Sequence, residues 1–88
     1  MEVTIYSPDA PCQACRLTKL RLDKQGVHYV SVTADAGQIA AFKADGHQSF
    51  PVVVVDCGDG ATWTWAGFRP DHIERLSNMS RKDAPAAA

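Results

Sequence analysis

Apolar and polar positions alternate at the start of the chain. Val3 and Ile5 stand against Glu2, Thr4 and Tyr6, the period-two pattern of a short strand with one apolar face. The alternation stops at Ser7-Pro8-Asp9-Ala10-Pro11, where two prolines and an aspartate mark a loop and Pro11 constrains the backbone ahead of the next element. From Cys12 or Gln13 to Gln25 the period lengthens to that of a helix. Ala14, Leu17 and Leu20 fall on one apolar face, Leu22 adds to the buried side, and Gly26 is a natural C-terminal stop.

Val27-His28-Tyr29-Val30-Ser31-Val32 is rich in β-branched and aromatic residues and predicts a second strand, parallel to the first because a helix connects them. Asp35, with Gln38 three residues later, predicts the start of a second helix whose modest apolar side is Ile39, Ala40 and Phe42 and which ends at Asp45-Gly46. The unbroken run Val52-Val53-Val54-Val55 suits a strand buried on both faces, with Pro51 tolerated at its first position. Cys57-Gly58-Asp59-Gly60 is a hairpin turn, so residues 61–65 return antiparallel. After a second turn over Ala66-Gly67-Phe68-Arg69, Pro70 opens a last helix. Asp71 and Glu74 lie near its positive end, and Ile73, Leu76 and Met79 point to the core. Periodicity is lost from Ser80, which predicts a domain over residues 1–79 and a disordered tail over residues 80–88.

The predicted order is βαβαββα. It describes an α/β domain with a four-stranded mixed sheet flanked by three helices, built from a parallel pair with a right-handed crossover and then a hairpin. At 88 residues the chain holds one core. Its net charge of −1 and the lack of any strongly basic stretch argue against nucleic acid as the principal partner. The nearest approach to a basic cluster is Arg16, Lys19, Arg21 and Lys24, interrupted by Asp23. It is read first as the solvated side of a helix, with a docking surface for an acidic partner as the alternative. The N-terminus runs straight into strand pattern with no basic leader or long apolar segment, so a soluble, cytoplasmic protein is expected.

The candidate chemistry lies in Cys12-Gln13-Ala14-Cys15. Two thiols separated by two residues at a strand-to-helix junction suit reversible disulfide exchange, because the free amides and positive dipole end of the helix favour the thiolate of the first. Cys12 is assigned as attacking thiolate and Cys15 as resolving thiol. Cys57 sits in a glycine turn and reads as a bystander. Trp63 and Trp65 share one sheet face and read as packing. His28, His47 and His72 are scattered and expected to be solvated. A zinc or iron-sulfur module is disfavoured because no second Cys-x-x-Cys accompanies the first.

Several motifs together resemble the NrdH redoxins, glutaredoxin-like proteins of bacteria and phages. They are Cys12-x-x-Cys15 followed by Thr18, the helix end Leu22-Asp23-Lys24-Gln25-Gly26, Pro51-Val52-Val53-Val54, and Trp65-Ala66-Gly67-Phe68-Arg69-Pro70-Asp71. The resemblance spans about Val3 to Leu76 and implies a thioredoxin-like fold. It also implies a monomeric electron carrier with no bound cofactor, reduced by thioredoxin reductase at the expense of NADPH and delivering electrons to a class Ib ribonucleotide reductase. By the same resemblance Pro51 is cis and sets the Phe50 backbone beside Cys12, where an extended substrate segment would pair. Pro11, Gln13, Phe50, Pro51, Trp65 and Gly67 become the substrate-contact candidates, with Trp65 as a lip of the groove. Thr18, Phe68, Arg69, Pro70 and Asp71 become a supporting network. Gln13-Ala14 between the cysteines, the Ser7 to Pro11 loop and Phe50 before the proline depart from the common family pattern. The alternative is a glutathione-dependent glutaredoxin, which usually carries Cys-Pro-Tyr-Cys.

Overall fold

The structure is a computed structural model, and it describes residues 1–58 and 60–83. Strands β1 (Glu2–Ser7), β2 (Val30–Thr33), β3 (Val52–Asp56) and β4 (Thr62–Ala66) and helices α1 (Gln13–Lys24), α2 (Ala36–Ala44) and α3 (Pro70–Asp83) follow in the expected βαβαββα order. The sheet runs β2-β1-β3-β4, with β1 parallel to β2 and antiparallel to β3, and β3 antiparallel to β4. This is the mixed sheet of the thioredoxin-like fold.

Register sorts the side chains between the two faces. Val3 pairs with Val55 and Ile5 with Val53, while Val53 pairs with Trp65 and Val55 with Trp63. These residues share one face and, apart from the half-buried Trp63 that packs against them, form the core with Leu22 of α1 and Ile73 and Leu76 of α3. On the other face Tyr6 meets Phe42 of α2, with ring centroids 5.2 Å apart. The valine strand is central and covered on both sides as expected, with Val52, Val53 and Val55 fully buried.

Four features differ from the sequence expectations. The buried face of α1 is Cys15, Thr18 and Leu22, not the Ala14-Leu17-Leu20 line. Leu17 and Leu20 remain 36% and 55% exposed. The apolar count alone pointed the wrong way because Thr18 buries its hydroxyl by donating to the Ala14 carbonyl over 2.8 Å. Strand β2 begins at Val30 rather than Val27, because Val27 belongs to the end of α1. Its amide bonds the Leu22 carbonyl and the Gly26 amide bonds that of Asp23, with Gly26 at φ +72. This is a Schellman cap, closed by the apolar pair Val27 and Leu22. The same device ends α2, where His47 bonds the Phe42 carbonyl and Gly46 that of Lys43. His47 therefore sits edge-on to the Phe42 ring and is not simply solvated. Finally, α3 runs through Asp83, past the predicted end at residue 79; residues 84–88 lie outside the described residues.

The capping box of α2 is formed as read. Asp35 accepts from the Gln38 amide, and the Gln38 side chain accepts from the Asp35 amide. Helices α1 and α3 are also joined by a polar contact that periodicity did not reveal. Ser77, 2% exposed, donates to Gln25 Oε1 over 3.1 Å.

Candidate active site

Tyr6, Val52 and Ala66 are aligned across β1, β3 and β4, so the chain leaves β1 and β4 and enters β3 at the same end of the sheet. Three loops meet there. The first leads to Cys12, which is the N-cap of α1 with extended backbone, and forms a disulfide with Cys15 across a Cα separation of 5.3 Å. Cys12 Sγ accepts a hydrogen bond from the Cys15 amide over 3.1 Å. The sulfur thus occupies the capping position in which a serine or aspartate oxygen usually satisfies a free helix amide. Cys15 is 4% exposed, whereas Cys12 is only half-buried, so the first sulfur is the one a partner can reach.

The second loop carries the cis peptide bond between Phe50 and Pro51. Cys12 Sγ lies 3.9 Å from the Phe50 carbonyl oxygen, which a reduced Cys12 thiol can use as an acceptor. The Phe50 ring stands edge-on to Phe42, 6.4 Å between centroids, so α2 positions this side of the site. The third loop is tied to the second because the Gly67 amide donates to the Pro51 carbonyl over 2.8 Å. Gly67 has φ +84, a conformation that glycine adopts without strain. Pro11 and Gln13 flank Cys12 and are exposed.

The supporting residues divide. Thr18 is buried one turn behind the dithiol, and Phe68 packs against the core. Pro70 starts α3, whose first hydrogen bond runs from the Ile73 amide to the Arg69 carbonyl. Arg69 Nη2 reaches Asp71 Oδ2 over 3.4 Å, and both side chains are largely exposed. The Arg69 hydrogen bond holds the Asp71 carboxyl below the usual aspartate range. Trp65 is not a lip of the groove: it is 5% exposed and lies in the core.

His72 was missed by the sequence reading. Its ring stacks on Trp65, 5.3 Å between centroids and 16° between planes, and also meets Trp63 at 5.2 Å. Arg75 covers Trp63 from 5.4 Å. The signal was the 72/75 spacing, which turns both residues to one side of α3, facing the side of β4 where the two indoles lie. Cys57 begins the β3–β4 turn at the opposite end of β3, about 20 Å along the strand from Pro51. Among the described residues no group of three or more His, Cys, Asp or Glu is placed to hold a metal ion.

No protein-family model matches the chain. The glutaredoxin-like protein NrdH of Escherichia coli K12 is 36% identical over 78 residues, covering 86% of this chain and 89% of that protein. The solved structure of Escherichia coli NrdH-redoxin, a glutaredoxin-like protein with a thioredoxin-like activity profile, superposes with a TM-score of 0.70. The match has 36% identity and covers 86% of this chain and 95% of that one. A glutaredoxin from Archaeoglobus fulgidus is more distant, at 25% identity and a TM-score of 0.58 over 91% of this chain and 86% of that one. With identity at this level across nearly all of both chains, and a half-exposed Cys12 bonded to a buried Cys15 at the start of α1, the chain belongs to the NrdH family of glutaredoxin-like thiol-disulfide oxidoreductases.

Proposed function

We propose that this protein is a small cytoplasmic electron carrier, reduced by thioredoxin reductase with NADPH and delivering two electrons to the disulfide of a class Ib ribonucleotide reductase. The observation that carries the reading is the asymmetry of the dithiol: Cys12 is reachable and held by a helix-end amide, while Cys15 is buried behind it. In the reduced protein the Cys12 thiolate attacks one sulfur of the partner disulfide, and the other leaves as a thiolate that takes up a proton. Cys15 then loses its proton and attacks Cys12 Sγ, releasing the second partner thiol and leaving the Cys12–Cys15 disulfide. The partner gains two electrons, which NADPH replaces through the reductase. Pro11, Gln13, Phe50 and Gly67 border this sulfur or tie its loops together and serve as the contact surface for an extended substrate segment, while Pro51 is fully buried and acts behind them by holding the Phe50 backbone. No helix among the described residues is long and apolar enough to cross a membrane.

The test is NADPH consumption with insulin as disulfide, run once with thioredoxin reductase and once with glutathione plus glutathione reductase. Turnover with thioredoxin reductase alone supports the reading and leads to the ribonucleotide reductase assay. Turnover with glutathione alone overturns it.

A further inference from the structure

Leu17 and Leu20 are large apolar side chains on α1 that the core does not use, at 36% and 55% exposure. With Cys15, Thr18 and Leu22 facing inward, the helical repeat places Gln13, Leu17, Leu20 and Lys24 along the opposite, outward line. Arg16, Arg21 and Lys24 are exposed around the two leucines. The helix carries four cations, Arg16, Lys19, Arg21 and Lys24, against the single anion Asp23, in a chain whose net charge is −1. Arg21 and Lys24 suit the negative end of the helix dipole. That preference does not account for Arg16 near the positive end, or for two adjacent leucines left in water.

We propose that the outward face of α1 docks an acidic segment of the partner protein, anchored by an apolar side chain on Leu17 and Leu20 and held by Arg16, Arg21 and Lys24. This rests on the redox reading above and adds the chemistry by which a partner is chosen. A second copy of the chain is the poorer occupant, since pairing α1 with itself sets like cations against each other, whereas carboxylates complement them. The reach also fits. Leu17 and Leu20 lie five and eight residues past Cys12, about 8 to 12 Å along the helix axis. Three or four extended residues span that distance, so a cysteine and an acidic, apolar segment this far apart engage Cys12 and the face together. Linking the two contacts raises the effective concentration of the partner disulfide at Cys12.

The experiment uses the full chain, reduced, with three substrates. The first is a peptide whose cysteine is joined to thiopyridine and followed, after three spacer residues, by leucine and glutamates. The second has lysines in place of the glutamates, and the third is a small thiopyridine disulfide with no peptide. Thiopyridine release should be on the order of tenfold faster with the acidic peptide than with the lysine peptide at low salt. The advantage should be lost in the Leu17→Ser/Leu20→Ser double variant and in Arg21→Gln/Lys24→Gln, with the small disulfide reacting as in the wild type. Equal rates with the two peptides would overturn the proposal, as would an undiminished acidic-peptide rate in the leucine variant. A dimer in solution that the leucine variant splits would assign the face to a second copy and also overturn it. If wild-type protein reduces none of the three, the redox reading has failed. Docking is then read separately, by whether the acidic peptide with serine for cysteine shifts the α1 amide resonances.

Discussion

The Cys15 amide donates to Cys12 Sγ over 3.1 Å, and of these two residues only Cys12 is accessible. Their roles are therefore unequal. Cys12→Ser should abolish reduction of insulin. Cys15→Ser should keep the first attack and accumulate a mixed disulfide, visible as a mass adduct that dithiothreitol removes. Full turnover in either variant contradicts the assignment.

Gly67 bonds the cis-proline loop from a positive φ of +84, and a Cβ there would meet Ser49 Cβ at an ordinary 3.6 Å. Space is not the obstacle, so the cost of Gly67→Ala is conformational, about 1–2 kcal/mol for a non-glycine residue in this region. In a domain of this size each kcal/mol lowers the melting midpoint by about 4–8 °C. A calorimetric scan showing no change would mean that the loop relaxes to negative φ.

The Ser77 hydroxyl links α3 to α1 through Gln25. Ser77→Ala removes a buried hydrogen bond and should cost about 0.5–1.5 kcal/mol in urea unfolding, with disulfide exchange intact. A neutral result would show that the bond contributes nothing net to helix packing.

The exposed pair of Arg69 and Asp71 gives a pH dependence of fixed sign. Because the Arg69 hydrogen bond lowers the Asp71 value in the folded protein, its contribution is present above the ordinary aspartate value of about 3.9. It is lost as pH falls through the lower folded value. Wild type should melt slightly above Asp71→Asn at neutral pH and together with it in strong acid. With both side chains in solvent the difference should be small and should shrink in high salt. A difference that persists unchanged at pH 2 would assign it to something other than this charge.

His72 shields Trp65, so His72→Ala should shift tryptophan emission to the red and cost about 0.5–1.5 kcal/mol of stability through the lost stacking contact. Unchanged emission would mean that the surrounding core alone keeps the indole dry.

Local physics determined much of this protein from its sequence alone. Alternation over Glu2 to Tyr6, the valine run, Asp35 with Gln38, and Pro70 each specify an element through their own backbone and neighbouring side chains. Cys12 and Cys15 needed only the expectation of a helix start between them. Long-range contacts decided the rest. The buried side of α1 depended on which residues β1, β3 and α3 could receive, and Thr18 is welcome there because its own helix satisfies its hydroxyl. Val27 and His47 went to helix caps because a left-handed glycine preceded each. His72 became the cover of Trp65 once β4 lay under α3. The proximity of Cys12 to Phe50, 38 residues apart, exists only because antiparallel pairing sets the end of β1 beside the start of β3. Periodicity reports which side of an element is apolar, but only the packed partners decide which side is covered.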